Sequence, residues 1–417
     1  MKKTSCCVLI VLLLTSCAKV RAVHEVPAIE LGDASFFPTV EALTDSAIVS
    51  GNLVEVLHNG NVFAAMLGDI RRAKSTITFA QYLFKGGSLA EQFAHSFAER
   101  CAAGVRVHIL LDSHGSSEVP EEIPEIMRRA GCKLEYFRRI HAPHIILPWK
   151  LLRYNYRNHR RILVIDGRIG FTGGYGISDA WLGDGRTADH WRDTNVRIEG
   201  PAVKHLQGAF IDSWLETTGE LLGGDGFLPR VEVRGDTPAQ FVKSSPVGGS
   251  FQNYLLYLLS ITAAKKSILI TNPYFIPDDR MIDSLLDASR RGVRVVVLVP
   301  GKIDHQITYW ASRRHYGRML LGGVEIFEYM PALLHSKTMV VDGLWATVGS
   351  TNFDNRSFAL NEELNLTLYD KTLANSLVEA FAEDLKRSRR ITYEEWQSRS
   401  LKEKFFEWFA LPVEEQL

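Results

Sequence analysis

Two stretches of this 417-residue chain gather groups able to act on phosphorus. In "HSKTMVVDGLWATVGSTN", His335 stands two residues before Lys337, and Asp342, Gly349, Ser350 and Asn352 follow. On an extended chain alternate side chains share a face, so the imidazole and the ammonium point the same way. Together they could hold a phosphate oxygen and attack the phosphorus. The hydroxyl of Ser350 and the amide of Asn352 could donate to another phosphate oxygen. Asp342, at the strand end, is placed to brace the turn rather than to touch substrate. "HRRILVIDGRIGFTGGYG" repeats the pattern from His159, with Arg161 as the cation and Asp166 as the second brace. One such histidine would usually be structural, but two in the same setting indicate a site. The sequence has no CxxC, no H-E-x-x-H and no acidic cluster at ligand spacing, so no metal or other cofactor is expected.

The elements that carry these stretches are also written twice. "AKSTITFAQYLF" from Ala73 parallels "AKKSILITNPYF" from Ala264, "AGVRVHILLD" from Ala103 parallels "RGVRVVVLVP" from Arg291, and "GCKLEYF" from Gly131 parallels "GVEIFEY" from Gly323. One long unit repeated once is implied, not a short-period solenoid. Each unit reads as a strand (75–80 in the first), an amphipathic helix (89–102; 281–290), a Gly stop, a Val-rich strand (105–111; 293–299), a second helix, a short strand, and then the His segment. Such alternation predicts an α/β fold: two similar lobes, each a mixed sheet flanked by helices. A pseudo-twofold axis between them would bring His159 and His335 to a shared cleft. The predicted organisation is a signal at 1–16, a tether at 17–50, a first lobe at 51–221, a Gly-, Pro- and Ser-rich linker at 222–249 and a second lobe at 250–417.

Composition is that of an ordinary globular protein, 46% hydrophobic and 23% charged. Lys plus Arg and Asp plus Glu both number 48. That balance argues against a protein built mainly to hold nucleic acid. Lys2 and Lys3 precede a short apolar run, Cys6 to Leu14, too short to span a bilayer. The run ends in Leu14-Thr15-Ser16-Cys17, which is similar to a bacterial lipoprotein signal. Cys17 would then carry lipid, and the chain would sit on a membrane surface facing the periplasm. Ala18 after it favours the outer membrane. Cys101 and Cys132 are expected as two buried thiols. The basic, aromatic stretch "HIILPWKLLRYNYRNHRR" before the first motif would suit an anionic membrane interface. The amphipathic tail "LKEKFFEWFALP" is expected to pack on the second lobe.

The run His335-x-Lys337-x4-Asp342-x6-Gly349-Ser350-x-Asn352 resembles the signature of the phospholipase D superfamily. Doubled in one chain, it is similar to the cardiolipin synthase branch. "TNPYFIPDD" at Thr271, "HWRDTNVRIEGPAV" at His190, "GSTNFDNRSFALNEE" at Gly349 and "ITYEEWQSRSLKEKF" at Ile391 extend the resemblance from about Val54 to Phe406. It implies a two-step transfer in which His159 attacks a phosphodiester to form a phosphohistidine. His335 would protonate the leaving alcohol and then act as base. It further implies that Asp193 and Glu363 orient the histidines. The anchor, the balanced charge and the basic aromatic stretch favour phospholipid at a membrane over nucleic acid as substrate, and the protein is expected to work as a monomer. The first motif departs from the pattern. Arg161 replaces lysine, Gly174 stands at the place of Ser350 (a glycine that branch commonly has), and Gly176 stands at the place of Asn352. Losing one donor to the transition state is worth about 2.7–4 kcal/mol. A non-catalytic or weakly active lipid-binding lipoprotein is therefore one alternative, and a nuclease of the same superfamily is another.

Overall fold

The computed structural model describes residues 23–139, 155–246 and 249–411. Cys17 with its signal, and residues 144–154 of the basic aromatic stretch, lie outside them. The described chain forms a single 15-stranded sheet covered by helices on both faces. In the first lobe the strands are β1 (Val49–His58), β2 (Thr76–Gln81), β3 (Arg106–Asp112), β4 (Lys133–Phe137), β5 (Ile162–Ile165), β6 (Ile169–Gly173) and β7 (Thr194–Glu199). In the second they are β8 (Thr237–Ser244), β9 (Ser267–Thr271), β10 (Arg294–Pro300), β11 (Glu325–Tyr329), β12 (Thr338–Val341), β13 (Trp345–Gly349) and β14 (Glu363–Leu368), with β15 (Ser388–Ile391) added at the outer edge.

The order across the sheet is β4-β3-β2-β5-β6-β7-β1, then β8-β14-β13-β12-β9-β10-β11-β15. Apart from β15, the second half mirrors the first. In each lobe the outer three strands are parallel and the inner ones antiparallel. β1 and β8 pair antiparallel at the seam, Asn52 opposite Thr237. The parallel strands are apolar runs because helices cover both faces: "TITFAQ" of β2 is buried throughout, and "RVVVLVP" of β10 is buried after its first residue. On one face the helices Asn61–Arg72 and Ser88–Ala102 cover the first lobe, and Gln252–Ala263 and Asp279–Arg290 the second. On the other face Val203–Thr218 and Lys371–Leu385 share one core, in which Phe210 and Trp214 of the first lobe and Leu364 and Phe381 of the second belong to a common cluster. The lobes are therefore joined by both backbone pairing and apolar burial.

Two expectations need correction. The segment 222–249 is not all linker, because β8 lies within it. "TPAQFVKS" has the alternation of a half-polar strand, and it is the counterpart of β1 beside the seam. Its Pro and the flanking Gly and Ser residues obscure that pattern. Cys101 and Cys132 form a disulfide, not two thiols, with Cα atoms 5.6 Å apart. The helix Ser88–Ala102 packs on Glu122–Arg129, and this brings the end of the first helix to the start of β4. Closing a loop whose ends are 31 residues apart restricts the unfolded chain by roughly 3–4 kcal/mol. The double variant Cys101→Ser/Cys132→Ser should lose about that much stability in urea unfolding. It should keep its activity, since β4 is the sheet's far edge from the seam.

Candidate active site

Each catalytic candidate stands on extended chain just before a strand. His159 and Arg161 precede β5, and His335 and Lys337 precede β12. Arg161 donates to the carbonyl of His159 at 2.7 Å, and its other fork nitrogen lies 3.1 Å from His159 Nε2. Lys337 donates to the carbonyl of His335 at 2.6 Å and lies 3.1 Å from His335 Nε2. All four side chains are buried. His159 feels the charges of Arg161 and Lys337 and the presence of His335, so the two half-motifs share one site.

The acidic residues are crossed between lobes. His159 Nδ1 lies 2.8 Å from Glu363 Oε1, at the start of β14 in the second lobe. His335 Nδ1 lies 3.1 Å from Asp193 Oδ2, just before β7 in the first. Backbone bonds cross at the same places: His159 N–H donates to the carbonyl of Glu362, and His335 N–H to that of Arg192. A carboxyl group at each Nδ1 favours a proton there and leaves Nε2 toward the site; at His335 the Lys337 amine lies 3.0 Å from Nδ1 and 3.1 Å from Nε2, so it caps the ring rather than Nε2 alone.

Electrostatics separates the two pairs. Burial, and then Lys337, lowers the pKa of His335 to about 4, against the hydrogen bond and charge of Asp193. Burial and Arg161 hold His159 well below the usual imidazole range. Asp193 is held below the usual carboxylate range: burial opposes its charge, but the hydrogen bond and charge of His335, then Lys337 and Trp181, prevail. Glu363 goes the other way. Burial pushes it up to about 8 despite Ser350 and Arg161. One histidine thus leans on an ionised carboxylate and the other on a carboxyl that is largely neutral at pH 7.

The remaining predicted residues take other places. Ser350 is fully buried and its hydroxyl donates to Glu363 Oε2, so it supports a carboxyl and does not face a phosphate. Gly174 likewise offers no phosphate donor, because its N–H goes to the carbonyl of Thr194. A Cβ there would stand 2.2 Å from Asp193 Oδ1, so the glycine makes room for the carboxylate. Asn352 is buried with its side-chain Oδ1 unpartnered. Asp166 and Asp342 sit in left-handed turns and accept backbone N–H bonds, the first from residues 74–76, the second from residues 265–267. Each pins the turn after a His strand to the start of its neighbour, β2 or β9.

Several residues escaped the sequence reading. Trp181 Nε1 donates to Asp193 Oδ2 at 2.8 Å and so supplies the support that Ser350 gives Glu363. A Cβ on Gly176 would meet the Trp181 ring at 2.9 Å, so the missing amide is the space the indole needs. Arg161 reaches further than a lysine and also donates to the carbonyl of Tyr175 at 3.3 Å. The three departures of the first motif are one rearrangement. Trp181 and Trp191 flank the His335 ring at 5.1 and 5.4 Å, and Tyr82 sits edge-on to His159 at 4.8 Å. Asn195 and Asn365, each two residues after an orienting acid, accept from the backbone of Tyr175 and Thr351. Their shared D-x-N/E-x-N spacing was the available signal. Arg160, on the opposite face from His159, binds Glu362 and the carbonyls of Ala209 and Ser244, tying the lobes together.

Two lobes about a pseudo-twofold axis, each presenting a histidine and a cation to one buried site, define an enzyme of the phospholipase D type. The family model described as "Cardiolipin synthase, PLD-like domain" matches residues 66–214 and 257–385, and the chain belongs to that family. It is 39% identical over 347 residues to cardiolipin synthase 2 of Staphylococcus epidermidis, covering 83% of this chain and 70% of that protein. To the major cardiolipin synthase ClsA of Bacillus subtilis it is 37% identical over 353 residues, covering 84% and 72%. In fold it matches phosphatidylserine synthase of Haemophilus influenzae with a TM-score of 0.66 at 14% identity, over 92% of this chain and all of that one.

The unequal carboxyls make unequal mutants. Asp193→Asn removes the counter-charge of His335 and should lower kcat/KM about a hundredfold or more. Glu363→Gln keeps a neutral group and should stay within about tenfold of the parent. Trp181→Phe removes one donor to Asp193 and should cost about tenfold. Glu363, neutral in the fold and ionised when unfolded, withdraws stability as pH rises from its ordinary 4.5 to about 8. The Tm advantage of Glu363→Gln over the parent should therefore grow across that interval in thermal melts. A flat difference would show that Glu363 is ionised in the fold.

Proposed function

We propose that the protein transfers a phosphatidyl group from one phospholipid to the alcohol of another, producing a cardiolipin-type lipid through a phosphohistidine. The observation that carries this reading is the crossed pair of His–carboxyl contacts within one buried, doubly cationic site. The names of the relatives supply the lipid. His159 Nε2 attacks phosphorus while Arg161 and Lys337 hold the non-bridging oxygens. The P–O bond to the leaving alcohol breaks, and His335, which takes up a proton at Nε2 on substrate binding because the phosphate's negative charge raises its affinity, gives that proton to the oxygen. An incoming alcohol then loses its proton to His335 and attacks phosphorus, and the P–N bond breaks to restore His159. Asp193, being ionised, stabilises a protonated His335. Glu363, being largely neutral, leaves His159 an uncharged nucleophile. That difference favours these roles over the reverse. Burial of both rings limits water and supports transfer over hydrolysis.

We place the enzyme at a bacterial membrane facing the periplasm, held by lipid on Cys17 and more in keeping with the outer than the inner membrane. The support is the sequence around Ser16 and Cys17. A mature protein whose Cys17 carries no acyl chain by mass spectrometry would remove it.

Expression in a host lacking cardiolipin, followed by lipid analysis, should show cardiolipin-type lipid. Cleavage of single-stranded DNA with every phospholipid untouched would put the nuclease reading in its place. With a nitrophenyl phosphodiester, whose leaving group needs little protonation, His335→Ala should retain a burst and accumulate phosphohistidine. His159→Ala should give neither, and phosphohistidine trapped in it would reverse the roles. Activity should survive a chelator, because the charges of Arg161 and Lys337 at the centre repel a divalent cation. Loss restored by added metal would overturn that.

A further inference from the structure

The tail was expected to lie packed on the second lobe, and the helix Leu401–Ala410 does so through one face only. Phe406 stacks on Trp310 at 5.6 Å, and Ala410 and Glu407 are buried. The other face holds Leu401, Phe405, Trp408 and Phe409, which are 84%, 56%, 65% and 61% exposed. Their spacing of four, seven and eight residues from Leu401 places them on a single stripe. This is the reverse of a core-facing helix, whose apolar stripe is hidden.

Charge is sorted in the same sense. Glu403 is drawn back onto the helix start, where it accepts from Ser400. Glu407 is turned inward and paired with both nitrogens of the Arg399 fork at 2.7 Å. Lys402 and Lys404 are exposed, one on each flank of the stripe. Glu407 thus points to the protein and Glu403 is held at the helix start, while aromatic rings with a lysine on either side point to solvent. Phe, Trp and Leu between lysines are the pattern of a helix that lies in a membrane interface, its lysines reaching the headgroups. A large exposed apolar stripe of this kind marks a contact surface.

The helix is also one step from the chemistry. Trp310 belongs to the helix Gln306–Leu321, whose first turn exposes Ile307. Just before that helix, Asp304 accepts from the hydroxyl of Tyr274 and lies close enough to Lys337 to raise its proton affinity, against the burial and Arg161 that hold this amine well below its usual range. We propose that the stripe Leu401-Phe405-Trp408-Phe409 inserts into the headgroup–acyl boundary of an anionic phospholipid bilayer and so holds the site against its substrate surface. The proposal rests on the phospholipid reading above for its purpose, but not for its test.

The full chain and its Trp408→Phe variant are compared on phosphatidylglycerol/phosphatidylcholine vesicles with brominated acyl chains. The fluorescence difference between the two isolates Trp408, and bromine should quench that component about twofold or more. A component that bromine leaves untouched overturns the proposal, whether acrylamide reaches it or a second copy shields it, the latter seen as a dimer in sedimentation. Activity supplies a second reading. Phe405→Ser/Trp408→Ser/Phe409→Ser should lose about tenfold on vesicles and stay within about twofold on a monomeric short-chain phospholipid. Unchanged vesicle activity, or equal losses on both substrates, overturns it. A parent protein that turns over neither lipid yet is quenched by bromine would instead count against the proposed function and leave the docking helix standing.

Discussion

Everything in this molecule depends on an exchange of acids between its two halves. Each histidine is supplied by one lobe and oriented by a carboxyl from the other: His159 by Glu363, and His335 by Asp193. The peptide carbonyl just before each acid accepts the N–H of the same histidine. Ring and backbone are therefore fixed from across the interface, and neither lobe has a complete site of its own. The continuous sheet through β1 and β8, the core shared by Trp214 and Phe381, and the buried Arg160 cross-link all hold that exchange in register. A shift of an ångström at the seam would part both pairs at once, which is why so much buried structure converges there.

The duplication is imperfect where it touches chemistry. Around His159, Glu363 is steadied by the Ser350 hydroxyl. Around His335, Asp193 is steadied by an indole, and the Ser position has become Gly174 to accommodate the carboxylate. Burial without an adequate counter-charge leaves Glu363 largely neutral, whereas His335, Lys337 and Trp181 keep Asp193 ionised. Two nearly identical motifs thus acquire orienting carboxyls of different proton affinity from their surroundings.

How much of this the sequence revealed follows from which interactions are local. His159, Arg161, His335 and Lys337 were legible because alternation on extended chain is a nearest-neighbour property. The paired parallel strands were legible because apolar runs and Gly stops are local too. The crossing of Asp193 and Glu363 was not, since each lies on the far side of a fold whose closure no short window records. Trp181 was missed for the same reason: its partner is twelve residues away and its space comes from a glycine that reads as a lost donor. β8 was hidden by its Pro and its Gly- and Ser-rich flanks. The disulfide depended on two helices meeting. Ser350 was assigned to phosphate because its hydroxyl could serve either partner, and only its depth in the fold directs it to Glu363.

The acid exchange also sets an order in time. Glu363 enters the growing chain 204 residues after His159, and His335 enters 142 residues after Asp193. A ribosome that has completed only the first lobe has made an imidazole with no carboxyl to hold its tautomer. It has also made an acid with no imidazole to orient. A chain that stops before His335 therefore holds neither crossed contact, and the site is complete only once β14 has paired beside β8.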